Sequence, residues 1–94
     1  MSVLDDLESI LQERARTRPE GSYTSELLGD PERVQRKIME EAFEVCLELG
    51  RDSVTDTGRI AEEAADLLYH LLVGLVGAGV SLAEVERVLE ERRR

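Results

Sequence analysis

Two acidic runs, Glu40-Glu41-x-x-Glu44 and Glu63-x-x-Asp66, interrupt segments that are otherwise apolar and helix-forming. Residues three or four apart share a helix face, so Glu41 and Glu44, Glu40 and Glu44, and Glu63 and Asp66 are neighbours. If the two helices pack antiparallel, four or five carboxylates converge on one spot. Like charges in a partly dry site repel strongly, and such a cluster is tolerable only when protons or a bound cation neutralise it. An all-carboxylate donor set favours a hard ion, Mg²⁺ or Mn²⁺ ahead of zinc. The bland alternative for Glu40, Glu41 and Glu44 is a solvated helix face. Glu63 and Asp66 weigh against it, because their helix has little solvent face to spare.

Cations and hydroxyls flank these acids in the sequence. Lys37 lies one turn before the cluster, where it can hold a phosphate or pair with Glu40 or Glu41. Arg14, Arg16 and Arg18 end the first apolar-periodic segment beside the turn Gly21-Ser22-Tyr23-Thr24. They can complement that helix's negative end, or form a phosphate clamp of guanidinium groups, hydroxyls and loop amides. His70 follows Asp66 by one turn and can donate a hydrogen bond to that carboxylate, or be a satisfied core histidine. Paired Glu-x-x-His motifs of a di-iron bundle are missing. Cys46 and Tyr69 read as core or near-core residues.

The elements that must position these groups are helices. Apolar residues from Val3 to Ala15 recur at three- and four-residue steps until Pro19 and Gly21 end the segment. The turn-rich stretch 19–30 contains Leu27 and Leu28 and reads as an ordered connection with one helical turn. Asp30-Pro31 is a helix start, and Val34, Ile38, Ala42, Val45 and Leu49 trace the stripe that follows until Gly50. Residues 51–57 read as a polar loop. A third long helix is expected over about 58–77, and its second half, from Leu67 to Val76, is apolar almost all round and so buried on every side. Ser81-Leu82-Ala83-Glu84 is a capping box that opens a closing helix, with Val80 and Val85 as its staple. No strand-like alternation occurs. The expected fold is all-α, a single domain over residues 1–94 with four to five helices.

A chain of 94 residues buries a modest fraction of its surface, and so few helices cannot surround a fully apolar one. A homodimer is therefore expected to complete the bundle. Twelve Lys+Arg against 21 Asp+Glu, a net charge of -9, disfavours nucleic acid and anionic lipid surfaces as partners. The apolar run is too short and too interrupted to span a membrane. One cysteine and no signal-like N-terminus point to the cytoplasm.

Three strings carry a resemblance: Arg16-Thr-Arg-Pro-Glu-Gly-Ser-Tyr-Thr24, Lys37-Ile-Met-Glu-Glu-Ala-Phe-Glu44 and Glu63-Ala-Ala-Asp-Leu-Leu-Tyr-His70. They resemble the phosphoribosyl-ATP pyrophosphatase family of the all-α nucleoside triphosphate pyrophosphatase superfamily. The acidic signature marks the superfamily; the Ser-Tyr-Thr turn and the Asp-Leu-Leu-Tyr-His run narrow it to the family. The resemblance implies Mg²⁺ ligation by Glu41, Glu44, Glu63 and Asp66, with Glu40 orienting or deprotonating the attacking water. It implies phosphoribosyl-ATP as substrate, hydrolysed to phosphoribosyl-AMP and pyrophosphate in the second step of histidine biosynthesis. Met39 departs from the glycine often found before the paired glutamates. Some members are fused to a phosphoribosyl-AMP cyclohydrolase domain, for which this chain is too short. Two other readings compete: a housekeeping pyrophosphatase acting on free or damaged nucleotides, and a non-catalytic helical dimerisation module.

Overall fold

A computed structural model describes residues 2–50 and 56–93. It contains five helices, α1 (Val3–Thr17), α2 (Tyr23–Leu28), α3 (Pro31–Leu49), α4 (Thr57–Ala78) and α5 (Leu82–Arg92), and no strand among the described residues. The fold is all-α, as the apolar periodicity requires. The expected loop at 51–57 falls largely on residues 51–55, outside the described residues. Asp56 and Thr57 already belong to α4, whose first turn is capped by the Asp56 carboxylate accepting from the Arg59 N–H.

Each helix start is set by a side chain that accepts an otherwise unpaired N–H. Ser2 and Asp5 form a reciprocal capping box on α1, a start signal that the sequence reading passed over. Ser22 caps α2, so the expected single turn is a six-residue helix that drives Leu27 into the interior. Asp30 caps α3 ahead of Pro31. Ser81 caps α5 by accepting from the Glu84 N–H, and no reciprocal bond from the Ser81 N–H to Glu84 accompanies it. At the end of α1 the chain escapes the helix through Arg18 in the left-handed region, φ 46°. Pro19 behind it crowds the right-handed helical conformation at that position.

The central packing is between α3 and α4. Gly74 on late α4 faces Val34 and Ile38 on early α3, while Arg59 on early α4 reaches Glu48 on late α3, so the two helices run antiparallel. A Cβ built at Gly74 would lie 3.3 Å from Val34 Cγ1 and 3.4 Å from Ile38 Cδ1. Its missing side chain lets the helices close. Helices α1 and α2 cover one side of this hairpin, and Leu11, Leu27, Val34, Leu72 and Val73 form the buried core. Helix α5 leaves at 106° to α4, turning through Gly79 at φ 77°.

Two expectations need correction. Leu67 to Val76 is not covered on every side within one chain, because Leu68 is 42% and Leu71 39% exposed. Cys46 is exposed and not near-core, because on α3 it lies some 140° around the wheel from Glu41, which faces α4.

The close approach at Gly74 predicts the effect of filling it. Gly74→Leu should lower unfolding free energy by about 1–3 kcal/mol through overpacking against Val34 and Ile38, although a helical glycine is normally the weaker residue. Urea titration followed by circular dichroism measures it.

Candidate metal centre

Helix periodicity sets a row of chemistry along the α3–α4 seam. On α3 the row is Glu41, Glu44 and Glu48; on α4 it is Arg59, Glu63, Asp66 and His70. One carboxylate oxygen from each of Glu41, Glu44 and Glu63 lies within 4.8 Å of the other two. Oxygens that share one hard divalent cation at about 2.0–2.5 Å are separated by no more than about 4–5 Å, so the spacing fits such an ion. Glu41 is only 8% exposed, and Glu63 Oε2 lies out of solvent with no hydrogen-bond partner among the described residues. A buried oxygen without a donor is an open coordination position.

The electrostatics agree. Burial pushes the Glu41 carboxyl above its usual range, with the charges of Glu44 and Asp66 adding to the shift and His70 and Lys37 opposing it. Glu63 is raised by its hydrogen bond with Glu44, which requires a proton on one of the pair, and further by desolvation and the Glu44 charge. Glu41 and Glu63 each bind a proton more readily than a free carboxylate does.

Asp66 stands differently from the other expected ligands. Exposed like Glu44, it lies outside the three-oxygen group, although its charge is felt by both Glu41 and Glu63. Glu40 is exposed too, and its carboxylate accepts from Lys37 Nζ at 3.5 Å. A pair that open to water is weak, so Lys37 remains available to a phosphate.

His70 is buried, but it does not donate to the Asp66 carboxylate as the sequence suggested. Its Nδ1 donates to the Asp66 backbone carbonyl at 2.9 Å, because one helical turn brings the ring over that carbonyl. A carbonyl only accepts, so Nδ1 carries a proton, and Nε2 shares a hydrogen bond with the Tyr23 hydroxyl at 3.0 Å. Glu41 Oε1 lies 3.7 Å from Nδ1. Tyr69 meets His70 edge-on at 5.0 Å between centroids, and its hydroxyl bonds the Thr24 hydroxyl. Tyr23 and Thr24 are thus fixed to α4 beside the acids, while the Ser22 hydroxyl is taken by the Ser25 N–H.

The three arginines do not form the expected clamp in this conformation. Arg16 pairs with Glu13 on its own helix, and Arg18 donates to the Ala15 carbonyl at the helix end. Arg14 is half-buried, and none of the three bonds Ser22, Tyr23 or Thr24 among the described residues. The helix-end reading fits Arg18. Three residues were missed by the sequence reading. Arg33 stacks over Tyr23 at 5.3 Å, and Arg59 Nε donates to buried Glu48 at 2.9 Å. Helical spacing carried the signal: Arg33 and Lys37 are one turn apart, as are Glu44 and Glu48, and as are Arg59 and Glu63. Glu44, Leu47, Glu48, Arg59 and Glu63 line a cleft of about 430 Å³ that opens beside the carboxylate cluster.

Fold and site define an all-α protein with three carboxylates clustered on an antiparallel helix pair. Residues 4–93 match the phosphoribosyl-ATP pyrophosphohydrolase family. The chain is 45% identical to a phosphoribosyl-ATP pyrophosphatase of Cereibacter sphaeroides, over 98% of this chain and 87% of the relative. It is 44% identical to the histidine biosynthesis bifunctional protein HisIE of Pyrococcus furiosus, over 100% of this chain and 43% of that protein. With the histidine biosynthesis trifunctional protein of Neurospora crassa it shares 45% identity, over 95% of this chain and a tenth of that protein's length. The chain belongs to the phosphoribosyl-ATP pyrophosphohydrolase family and is a hydrolase acting on phosphoanhydride bonds.

The raised carboxyls predict how metal-free stability varies with pH. Both groups bind protons more tightly folded than unfolded, so their contribution to stability is lost as pH rises above the ordinary carboxylate value of 4.5 and regained as pH falls back toward it. Asp5, lowered by its bonds to Ser2, acts in the opposite sense and only around and below its ordinary 3.8. Glu63→Gln should flatten this dependence and give a metal-free melting temperature at neutral pH equal to or above the parent's. Calorimetry across the pH range in the presence of chelator reads both.

Proposed function

We propose that this chain hydrolyses phosphoribosyl-ATP between its α- and β-phosphates, giving phosphoribosyl-AMP and pyrophosphate, as the second step of histidine biosynthesis in the cytoplasm. The observation that carries the reading is the convergence of Glu41, Glu44 and Glu63 in a partly desolvated seam. Mg²⁺, with Mn²⁺ as a substitute, would be held there, with exposed Asp66 one helical turn beyond Glu63 as the fourth ligand. The ion supplies charge neutralisation at the triphosphate and lowers the pKa of bound water.

The chain's own residues supply the rest. Lys37 and Arg33, one turn apart on α3, offer cations on the Tyr23 side of the acids, where phosphate oxygens would be received. Glu40, free of the three-oxygen group and paired only weakly with Lys37, is placed to orient water or accept its proton. His70 holds Tyr23 in place through Nε2 and bonds the helix backbone through Nδ1, so it positions the α2 turn. Arg14, Arg16 and Arg18 would reach the added phosphoribosyl group after leaving their helix-end contacts.

Chelator should abolish pyrophosphate release and Mg²⁺ or Mn²⁺ should restore it. Glu44→Gln and Asp66→Asn should each cut turnover by roughly 10²-fold or more, on the scale of losing one group that stabilises transition-state charge, without loss of metal-free melting temperature. Mg²⁺ at about 100 times its Kd should stabilise the parent by about 2.7 kcal/mol. A panel of triphosphates, ordinary and modified, assayed beside phosphoribosyl-ATP decides the substrate. Faster turnover of the free nucleotides would replace this reading with the housekeeping pyrophosphatase, and no turnover of any would leave a non-catalytic module.

A further inference from the structure

The row of acids along the α3–α4 seam ends in a guanidinium. Arg59 lies one helical turn before Glu63 on α4 and faces Glu48, one turn after Glu44 on α3. The helices pair level by level: Glu41 beside His70, Glu44 bonded to Glu63, Glu48 bonded to Arg59. Buried Glu48 accepts the Arg59 Nε–H at 2.9 Å, which fixes the guanidinium and engages one of its five N–H groups. Among the described residues Nη1 and Nη2 form no hydrogen bond, and the side chain is 59% exposed. Arg59 lines the cleft of about 430 Å³ together with Glu44 and Glu63, two of the three clustered carboxylates. A plain ion pair is the simpler reading, and it accounts for the Nε contact alone.

We propose that Arg59 contacts the substrate, its Nη edge receiving the terminal phosphates of the triphosphate and then holding the pyrophosphate that leaves. This rests on the hydrolysis proposed above and adds to it a direction for the substrate along the seam. The two ends of the seam differ in chemistry. At the α2 end stand the rings of Tyr23 and Tyr69, 6.3 Å apart, with Arg33 over Tyr23 and Lys37 one turn further along α3. Aromatic and polar groups together suit a nucleoside. At the Arg59 end Leu47 is the only apolar residue in the cleft's lining among the described residues, and no ring lines it, so nothing there receives a base. What that end offers is a fork of N–H groups beside carboxylates suited to a hard cation, a pairing that matches a magnesium-bound polyphosphate. Charge makes the guanidinium necessary. The other polar groups in the cleft are Glu44, Glu48 and Glu63, and carboxylates repel phosphate oxygens that lie beyond the reach of the ion. Lys37 and Glu48 are about three turns apart, about 16 Å of helix, so a triphosphate fits between a cation at each end with the acids at its middle.

Calorimetric titration of the parent and Arg59→Gln tests this, first with Mg²⁺ alone, then with pyrophosphate and with phosphoribosyl-AMP at saturating Mg²⁺. Pyrophosphate should bind Arg59→Gln at least about tenfold more weakly, the scale of a lost hydrogen bond between charged groups. Mg²⁺ and phosphoribosyl-AMP should bind it no more weakly than they bind the parent. In steady state the KM of the triphosphate and the inhibition constant of pyrophosphate should rise together, with a smaller change in kcat. Unchanged pyrophosphate affinity, or an equal weakening of phosphoribosyl-AMP, overturns the proposal. Weakened Mg²⁺ binding also overturns it, since Arg59 would then act through the shape of the acid cluster. Where Arg59→Gln unfolds because buried Glu48 loses this guanidinium, the double variant Glu48→Gln/Arg59→Gln removes both charges and must show the same loss; parent-like pyrophosphate binding in it overturns the proposal. The two readings fail separately. A parent that holds magnesium pyrophosphate through Arg59 and hydrolyses no triphosphate supports the subsite and rejects the reaction. A parent that hydrolyses phosphoribosyl-ATP with a pyrophosphate affinity indifferent to Arg59 does the reverse.

Discussion

Everything in this molecule is arranged around one conflict: α3 and α4 must lie against each other although the middle of their contact is acidic. Two contacts at opposite ends hold the helices at the required distance. At one end Gly74 lets Val34 and Ile38 approach α4 with no side chain between. At the other, the buried Glu48 carboxylate is met by Arg59, and that contact in turn holds the guanidinium firmly charged. Between these anchors Glu41, Glu44 and Glu63 are held closer than carboxylates would choose in water. Removing one partner from a buried charge is costly, so the seam is rigid where it is paired and electrostatically strained where it is not. The strain is local and sits where a cation relieves it.

Helix positions and most caps were legible in the residues, because they are decided within a few positions along the chain. Asp30-Pro31, Gly50 and Ser81 mark their boundaries by chemistry that needs no tertiary partner. Two carboxylate pairs at helical spacing were legible for the same reason; the antiparallel packing brings Glu41, Glu44 and Glu63 together and leaves Asp66 outside. Tertiary choices were not. Which way Arg16 and Arg18 turn depends on Glu13 and on the helix-end carbonyls, each competing with a distant turn for the same guanidinium. The bond of His70 to the Asp66 carbonyl, in place of the carboxylate, is set by rotamer and by Tyr23 pulling on the other ring nitrogen. Glu48 and Arg59 looked like surface charges because burial is invisible in sequence. Cys46 looked like core because its apolar neighbours on α3 belong to a different face of the helix.

The polar turn before α2 gains its order from α4 and not from itself. Tyr23 is bonded to His70 and stacks near Tyr69, Thr24 is bonded to Tyr69, and Arg33 closes over the Tyr23 ring. Buried hydroxyls and ring nitrogens that are fully matched specify one arrangement, because any other leaves an unpaired group out of water. The cations of α3 and the turn of α2 are thereby placed by the same residues that follow the acids on α4. A change in one propagates to the other through contacts that hold a few atoms within hydrogen-bond reach.

Helix α5 stands apart from this tightly knit body. Among the described residues it packs against no other helix to the extent that α1 to α4 pack among themselves, and it is held at its start, where Leu82 rests on the core and its N–H donates to Glu8 Oε2 at 2.6 Å. Eleven residues are too few to hold a helix in water by backbone bonding alone. A C-terminal helix so lightly held is expected to open at a smaller free-energy cost than the body from α1 to α4. Thermal melts followed through α4 and through α5 should therefore report on different events, and the carboxylate cluster belongs entirely to the first.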